Sequence, residues 1–549
     1  MSNEKKQSFI GGVTVLAIST ILVKLCGALY KIPLGNILGE EGITHFNTAY
    51  NIYSVLLTLS TAGLPLALSK LVSEADSMGR TNQVRRCFRA AMGLFVAIGA
   101  VGTAAMLLCT EQLAAWMNNS MAYWPIKALG VSVLCVSIMC AYRGYAQGRR
   151  NMVPTAVSQL IESFFKLLVG LPLAWYLIRA GYSLEIGAAG AILGVSAGIV
   201  LAMVYMVVNY LRHRSQLPAG GDIPQSYGAV FKRLLWLGIP ITIGQAGMSI
   251  LNMLDQKIIM GQLQALTARE IAAGVLPAMT ATEIEAASSA LYGQYTFSSN
   301  LYNLLPAFLP AVAISLVPAI SVAVARRDHR DVNRVVSASF RLIAALAVPA
   351  GVGLSVMAGP ILLLLYPSQQ TAAVAAAYHL RILGIASIFV CVMLLTNSIM
   401  QAHEKVRLPI YTMLIGGTVK VAINYLLVGR ADINIKGAPI GTLVCYALIA
   451  VLNLMLVYRM LEQKPNYLSF FVKPVLASAV MGAAAWASHG LFSRVLGAGY
   501  LRQSLATLLA IGVAVVVYLI LVIALRIITR EDLKLVPKGD KIARLFRLR

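Results

Sequence analysis

The chain has 549 residues, 58% of them apolar and 12% charged, with a mean hydropathy of +0.76. An ordinary soluble domain carries about twice that share of charge, so the composition excludes a soluble enzyme, a secreted disulfide scaffold and a disordered chain, and the long apolar runs argue against an outer-membrane barrel. The formal net charge of +24 resembles that of a nucleic-acid-binding protein until the charges are sorted by position.

Apolar runs of about 20 residues or more predict membrane helices, and they recur along the whole chain. The predicted spans are 9–33, 45–71, 87–109, 121–145, 153–178, 184–211 and 234–260, followed by the longest outer loop, 261–285. They continue at 286–325, expected to break around Pro306, Pro310 and Pro318, then 335–366, 372–402, 409–428, 437–458, 470–492 and 500–528. The expected fold class is therefore an all-α polytopic membrane protein of 14 transmembrane helices. No cleavable signal is read at the N-terminus. The seven cysteines, Cys26, Cys87, Cys109, Cys135, Cys140, Cys391 and Cys445, show no metal spacing and read as packing residues. No metal site is expected.

With the N-terminus inside, the inner segments hold 32 of the 45 Lys and Arg, the outer segments 9, and the membrane four: Lys24, Lys166, Lys257 and Lys420. This asymmetry predicts both termini in the cytoplasm. The positive charge is then an orientation signal whose partner is anionic lipid, and nucleic acid drops out.

The chain repeats itself. Ser69 and Phe88-Arg89 match Ser321 and Phe340-Arg341 at a shift of 252 residues, while Gln147 and Lys166 match Gln401 and Lys420 at a shift of 254. The repeat predicts two pseudo-symmetric six-helix lobes, residues 1–215 and 216–465, with helices 13 and 14 over 466–528 and a basic cytoplasmic tail over 529–549. Parallel repeats imply a site between the halves.

Charges inside the span carry the functional reading, because each costs roughly 2.5–3.5 kcal/mol at a helix centre. Lys24, Lys166, Lys257 and Lys420 must face protein or water, and Lys31 lies at the outer end of the first span. Glu162 precedes Lys166 by four residues, in the order that favours a helical ion pair, and Gln159 shares that face. Asp255, two residues from Lys257, points elsewhere. Asn424 follows Lys420 by four residues. Gly416 stands where Glu162 would match, so Lys420 reads as a free charge and Lys166 as a locally neutralised one. His45 reads as a loop-edge residue. The cationic excess suits an anionic substrate and suits a drug-cation exporter poorly. No nucleotide-binding, zinc-protease or hydrolase motif lies in a suitable setting, so a transporter without a cofactor is expected. The energy source is left open between the membrane potential and a monovalent ion.

The run LVKLCGALYKIPLGNILGEEGITHFNTAYNIYSVLLTLSTAGLPLALSKLVSEA, the segment LPAFLPAVAISLVPAIS and the helix exit QAHEKVRLP resemble the MOP exporter superfamily, which holds MATE transporters, polysaccharide flippases and MurJ-type lipid II flippases. The resemblance covers essentially the whole chain and is nearest to the SpoVB/YtgP branch of Gram-positive bacteria. It implies fourteen helices around a cationic cavity. It further implies transport of an undecaprenyl-pyrophosphate-linked cell-wall precursor, foremost lipid II, from the inner to the outer leaflet of the plasma membrane by alternating access. The first-helix basic residues of MurJ-type flippases match Lys24 and approximately Lys31. Their second-helix basic residue has no counterpart, and their eighth-helix one falls near the uncharged Asn300. The resemblance therefore leaves Lys166, Lys257 and Lys420 to supply the remaining charge.

The expected partners are a lipid-linked anionic oligosaccharide, anionic lipids and the cell-wall synthesis machinery, with the protein itself a monomer. Competing readings are a flippase for capsule or teichoic-acid precursors, a cation-coupled drug exporter, a membrane scaffold and an intramembrane glycosyltransferase.

Overall fold

A computed structural model describes residues 9–61, 63–213, 220–307, 320–324, 326, 328–405 and 407–528. Among them there are helices and turns and no strand, and eleven helices are long and apolar enough to cross a membrane. The chain is a multi-pass membrane protein. The spans expected over 234–260 and 286–325 fall in the helices Tyr227–Ala272 and Ala281–Tyr302, which are not among the eleven. The first two expected spans count as one run.

Several boundaries differ from the sequence reading, each for a local reason. The spans expected at 9–33 and 45–71 are joined as one helical run, Phe9–Thr61, bent at Gly39. There φ is 72°, a value that glycine adopts without a Cβ clash, so one residue makes the corner that a loop was expected to make. A new helix, Leu64–Ser77, then starts with Pro65 in its first turn, where a missing N–H costs nothing. The outer loop expected at 261–285 is largely helical, because the good helix formers of GQLQALTAREIA carry the preceding helix on to Ala272. Gly274, with φ 72°, then turns the chain. The helix Ala281–Tyr302 ends ahead of Pro306; Pro310 and Pro318 lie outside the described residues. The span expected at 335–366 is two helices, His329–Val356 and Ala358–Leu365, separated at Met357.

The described chain divides into two compact units, Met1–Gln264 with Pro277–Ala290, and Ala265–Leu276 with Leu291–Arg549. The helix beginning at Tyr227 clusters with the first unit as far as Gln264.

The same series of elements occurs in each unit. Thr81–Leu108 and His329–Val356 are both 28 residues long. Each is followed by a short helix, Thr110–Trp116 or Ala358–Leu365, and a single 3-10 turn, Ser120–Ala122 or Pro367–Gln369. Long helices follow, Tyr123–Gly148 and Gln370–Ala402. Each long helix leaves through a left-handed residue, Arg150 at φ 58° and Glu404 at φ 60°, which are 254 positions apart. Backbone conformation and sequence thus give the same shift. The second unit adds the helices Tyr467–Leu496 and Tyr500–Ala524. Ala477, Ala485, Ala510 and Ala514 are small enough for close helix approach, and the Tyr518 hydroxyl donates to the Ala345 carbonyl at 2.7 Å.

Candidate functional site

The repeat breaks at the helix that carries Lys166. In the second unit its counterpart, Leu408–Val428, is a regular α-helix. In the first unit the equivalent stretch is Val153–Phe165, a π turn over Lys166–Gly170, and Leu171–Arg179. Pro172 explains the difference. It has no N–H for the Leu168 carbonyl, and its ring crowds that carbonyl, so the helix widens by a residue just ahead of it.

The helix Leu184–His213 fixes this distorted segment in place. Gly194 lies directly on the Gly170 backbone, and a Cβ at Gly198 would come within 2.7 Å of the Glu162 carbonyl oxygen. Any larger residue at these two glycines would push the charged helix away.

Glu162 and Lys166 are spaced for an i,i+4 pair, and the Lys166 amide keeps its helical bond to the Glu162 carbonyl, so the helix widens only beyond that register. Glu162 is near enough for its charge to act on Lys166, and it also pairs with Arg143 on the helix Tyr123–Gly148, Nη2 to Oε2 at 3.3 Å, while Arg143 Nε donates to Ser158 Oγ at 2.9 Å. Glu162 is thus shared between Lys166 and Arg143, a second partner that the sequence reading did not include. Arg143, with its side chain 12% exposed, is an interior cation that its place near a helix end concealed. Lys166 is half-buried, its ammonium 5.3 Å from the Tyr30 ring centroid, within cation–π range. It stands close enough to the half-buried Lys31 for the two charges to repel.

Beside these cations runs a ladder of rings carried on the two arms that meet at Gly39. Tyr30, Phe46, Tyr50 and Tyr53 succeed one another at centroid distances of 5.8, 5.9 and 5.8 Å. The Tyr30 hydroxyl donates to the Ala191 carbonyl at 3.0 Å. Gln159 is half-buried, with its Oε1 buried and unbonded. The first unit therefore holds Arg143 and Lys166 at the Glu162 carboxylate, with Lys31 close to Lys166 and aromatic rings beside them.

The remaining residues singled out by sequence differ in burial and neighbours. Lys24 is exposed. Lys257 is half-buried with its ammonium 3.9 Å from the Trp116 ring centroid. Asp255, two residues earlier, is buried at 5% exposure. In the second unit, Asn424 is fully buried against Gly441. Asn300, at 9% exposure, lies against Tyr366, whose ring stacks on Phe297 at 4.2 Å. Lys420 is half-buried and near enough to Tyr446 for its charge to act on that hydroxyl, so it is not the free charge that the missing acid suggested. The second unit uses neutral groups where the first uses charges. Buried Asn453 accepts from Thr412 at 2.8 Å and donates to Asn397 at 2.9 Å.

At the end of the first unit predicted to be cytoplasmic, a cavity of about 830 Å³ is lined by Ser69, Lys70, Ser73, Glu74, Gln147 and Arg150 among others. Ser69 and Gln147 are two of the repeated positions. A second feature missed from sequence is at the other end of the same helices. His45 is 1% exposed and hydrogen-bonded to Asn119, not a loop-edge residue. No sequence signal marked it, because its partner is 74 positions away.

A family described as "Polysaccharide biosynthesis protein" matches residues 9–324, and one described as "MatE" matches residues 288–426. Among curated proteins, the chain is 24% identical to "Stage V sporulation protein B" of Bacillus subtilis, covering 97% of this chain and 98% of that one. It is 23% identical to "Lipid II flippase MurJ" of the same species, covering 92% and 94%. Among solved structures, the fold matches "Lipid II flippase MurJ, inward closed conformation" at a TM-score of 0.70 and 12% identity, covering 92% of this chain and 98% of that one. It also matches an inward-facing MATE multidrug transporter of the MOP superfamily at a TM-score of 0.61 and 13% identity, covering 84% and 98%.

Proposed function

Because this chain belongs to the polysaccharide biosynthesis protein family of membrane transporters, we propose that it is a flippase for a lipid-linked cell-wall precursor, foremost lipid II. The observation that carries this reading is the interior of the first unit, where Arg143 and Lys166 share the Glu162 carboxylate and Lys31 stands close to Lys166. A diphosphate brought into a membrane must exchange its water for fixed cations. A cationic, ring-lined interior offers that exchange and repels a drug cation.

In this reading the precursor's headgroup enters past Lys70 and Arg150 at the cytoplasmic cavity and is drawn toward Lys166 and Lys31. Lys24, Lys257 and Lys420 extend the cationic lining, with Asp255, Asn300 and Asn424 as its polar and coupling groups. The lobes are residues 1–215 and 216–465, followed by helices 13 and 14. Both termini are cytoplasmic, in the plasma membrane of a Gram-positive bacterium. The monomer works without a cofactor, is driven by the membrane potential or a monovalent ion, and holds anionic lipid at its basic inner face.

The family description, polysaccharide biosynthesis protein, favours a second cargo, another lipid-linked polysaccharide. Depletion of the protein in its own cell, followed by analysis of the inner leaflet, separates the two by which undecaprenyl-linked precursor accumulates. Accumulation of none overturns both. Within the depletion strain, K24A is expected to fail to restore transport while still reaching the membrane, and K24R to restore part of it.

A further inference from the structure

His45 lies in a hydrogen-bonded chain whose directions can be assigned. Asn51 Nδ2 donates to Gln256 Oε1. Gln256 Nε2 donates to Thr48 Oγ1 at 2.7 Å, and Asn119 Nδ2 donates to the same oxygen at 2.8 Å. The Thr48 hydroxyl is committed to the Thr44 carbonyl at 2.9 Å. Because Asn119 has turned its amide nitrogen to Thr48, its Oδ1 faces His45 Nδ1 at 2.9 Å. An amide oxygen only accepts, so Nδ1 must be the protonated nitrogen. His45 Nε2 is left as the basic nitrogen, buried and without a hydrogen bond. It is 3.6 Å from Glu41 Oε1, one helical turn earlier, and the Glu41 side chain is 28% exposed.

Thr48, Asn119 and Gln256 are 0% exposed. Together they join three parts of the first unit: the helix that carries His45, the turn at Asn119 and the helix Tyr227–Ala272. The seam between the two helices continues from there. Thr58 Oγ1 and Ser249 Oγ are 2.8 Å apart, and the Gly63 amide donates to Thr242 Oγ1 at 3.2 Å.

We propose that Glu41 and His45 form a proton-binding site that fastens this seam. Nε2 takes one proton, which Glu41 admits from solvent. The resulting imidazolium pairs with the Glu41 carboxylate and holds Nδ1–H on Asn119, stiffening the chain that runs through Thr48 and Gln256 to Asn51. Loss of the proton removes the pair and leaves a buried nitrogen without a partner, which loosens the seam.

The charged groups around the site are mostly acidic. Glu40 and Glu41 precede His45 on its own helix. Glu285 accepts from Ser120 on the neighbouring turn at 2.8 Å. Asp255 is on the facing helix, with Lys257 turned onto Trp116. The seam should tighten when the proton is taken up and relax when it is lost. The site is independent of the cargo, so its failure would leave the flippase reading intact.

The test is cross-linking of T58C with S249C by a short bismaleimide in purified protein whose other cysteines are removed, between about pH 5.5 and 8. The yield is divided by that of the same pair carrying H45Q, which cancels the pH dependence of thiol reactivity. The ratio is expected to rise by about twofold or more toward low pH, the range for a partly exposed ion pair. E41Q should move the midpoint to lower pH. A ratio that stays flat overturns the proposal, as does an E41Q midpoint equal to that of the native pair. Should H45Q fail to fold, the comparison of E41Q with the native pair decides alone.

Discussion

The Arg143–Glu162 pair is open to a quantitative test. Removing one partner from a buried pair costs about 3–5 kcal/mol, whereas an exposed pair contributes about 0–1 kcal/mol. Arg143 is 12% exposed and Glu162 32%, so E162Q should cost about 2–3 kcal/mol, much of it from leaving Arg143 uncompensated beside Lys166. R143M should cost a similar amount, since Ser158 and Glu162 both lose their donor. The double variant R143M/E162Q removes the charge and keeps the volume, and should fall about 1–2 kcal/mol short of the sum of the single effects. Stability is measured by detergent-induced unfolding followed by tryptophan fluorescence, on each variant in the same micelle. Effects that add to within about 0.5 kcal/mol would show that the two side chains do not sense each other, and the assignment of Glu162 to Arg143 would fail. Recovery of the missing energy in a cycle of Glu162 with Lys166 instead would restore the local i,i+4 pair.

Three other outcomes follow from the structure. Replacing Pro172 by leucine, the residue at the equivalent position 426, should let the π turn over Lys166–Gly170 close into a regular helix. Transport should fall with the protein still folded; unchanged transport would refute a role for the distortion. The loop at 220–226 caps the helix Thr81–Leu108 from outside its own sequence: the Asn82 and Gln83 amides donate to the Asp222 carboxylate at 2.8 and 2.9 Å. Shielding from water pushes that carboxyl up, but the amide donors prevail and hold it below the usual range. A depressed carboxyl contributes its stability above its unfolded value, near 4, and loses it as pH falls through the lower folded value. Hydrogen exchange at Asn82 and Gln83 should therefore accelerate in strong acid, and D222N should abolish that pH dependence. Finally, an impermeant thiol reagent added outside cells should label A273C and not G221C; the reverse pattern would invert the proposed topology.

The sequence by itself determined the membrane class, the helical fold and the repeat. Apolar runs of about 20 residues have one use in a chain this poor in charge, and matches at 252 and 254 residues needed no coordinates. It made the lysines within apolar runs conspicuous, because a charge there is costly at any depth. What it could not determine was who meets whom. Glu162 and Lys166 have the spacing of a pair, yet packing of the helix Tyr123–Gly148 brings Arg143 onto the same carboxylate. Arg143 and His45 looked like boundary residues because burial depends on neighbours far away in the chain. The Asn119 that orients His45 is 74 residues distant, and the Gln256 that extends its network is 208 residues from Thr48. Helical periodicity reports only neighbours three or four residues apart, so contacts that span half a lobe are decided by packing alone.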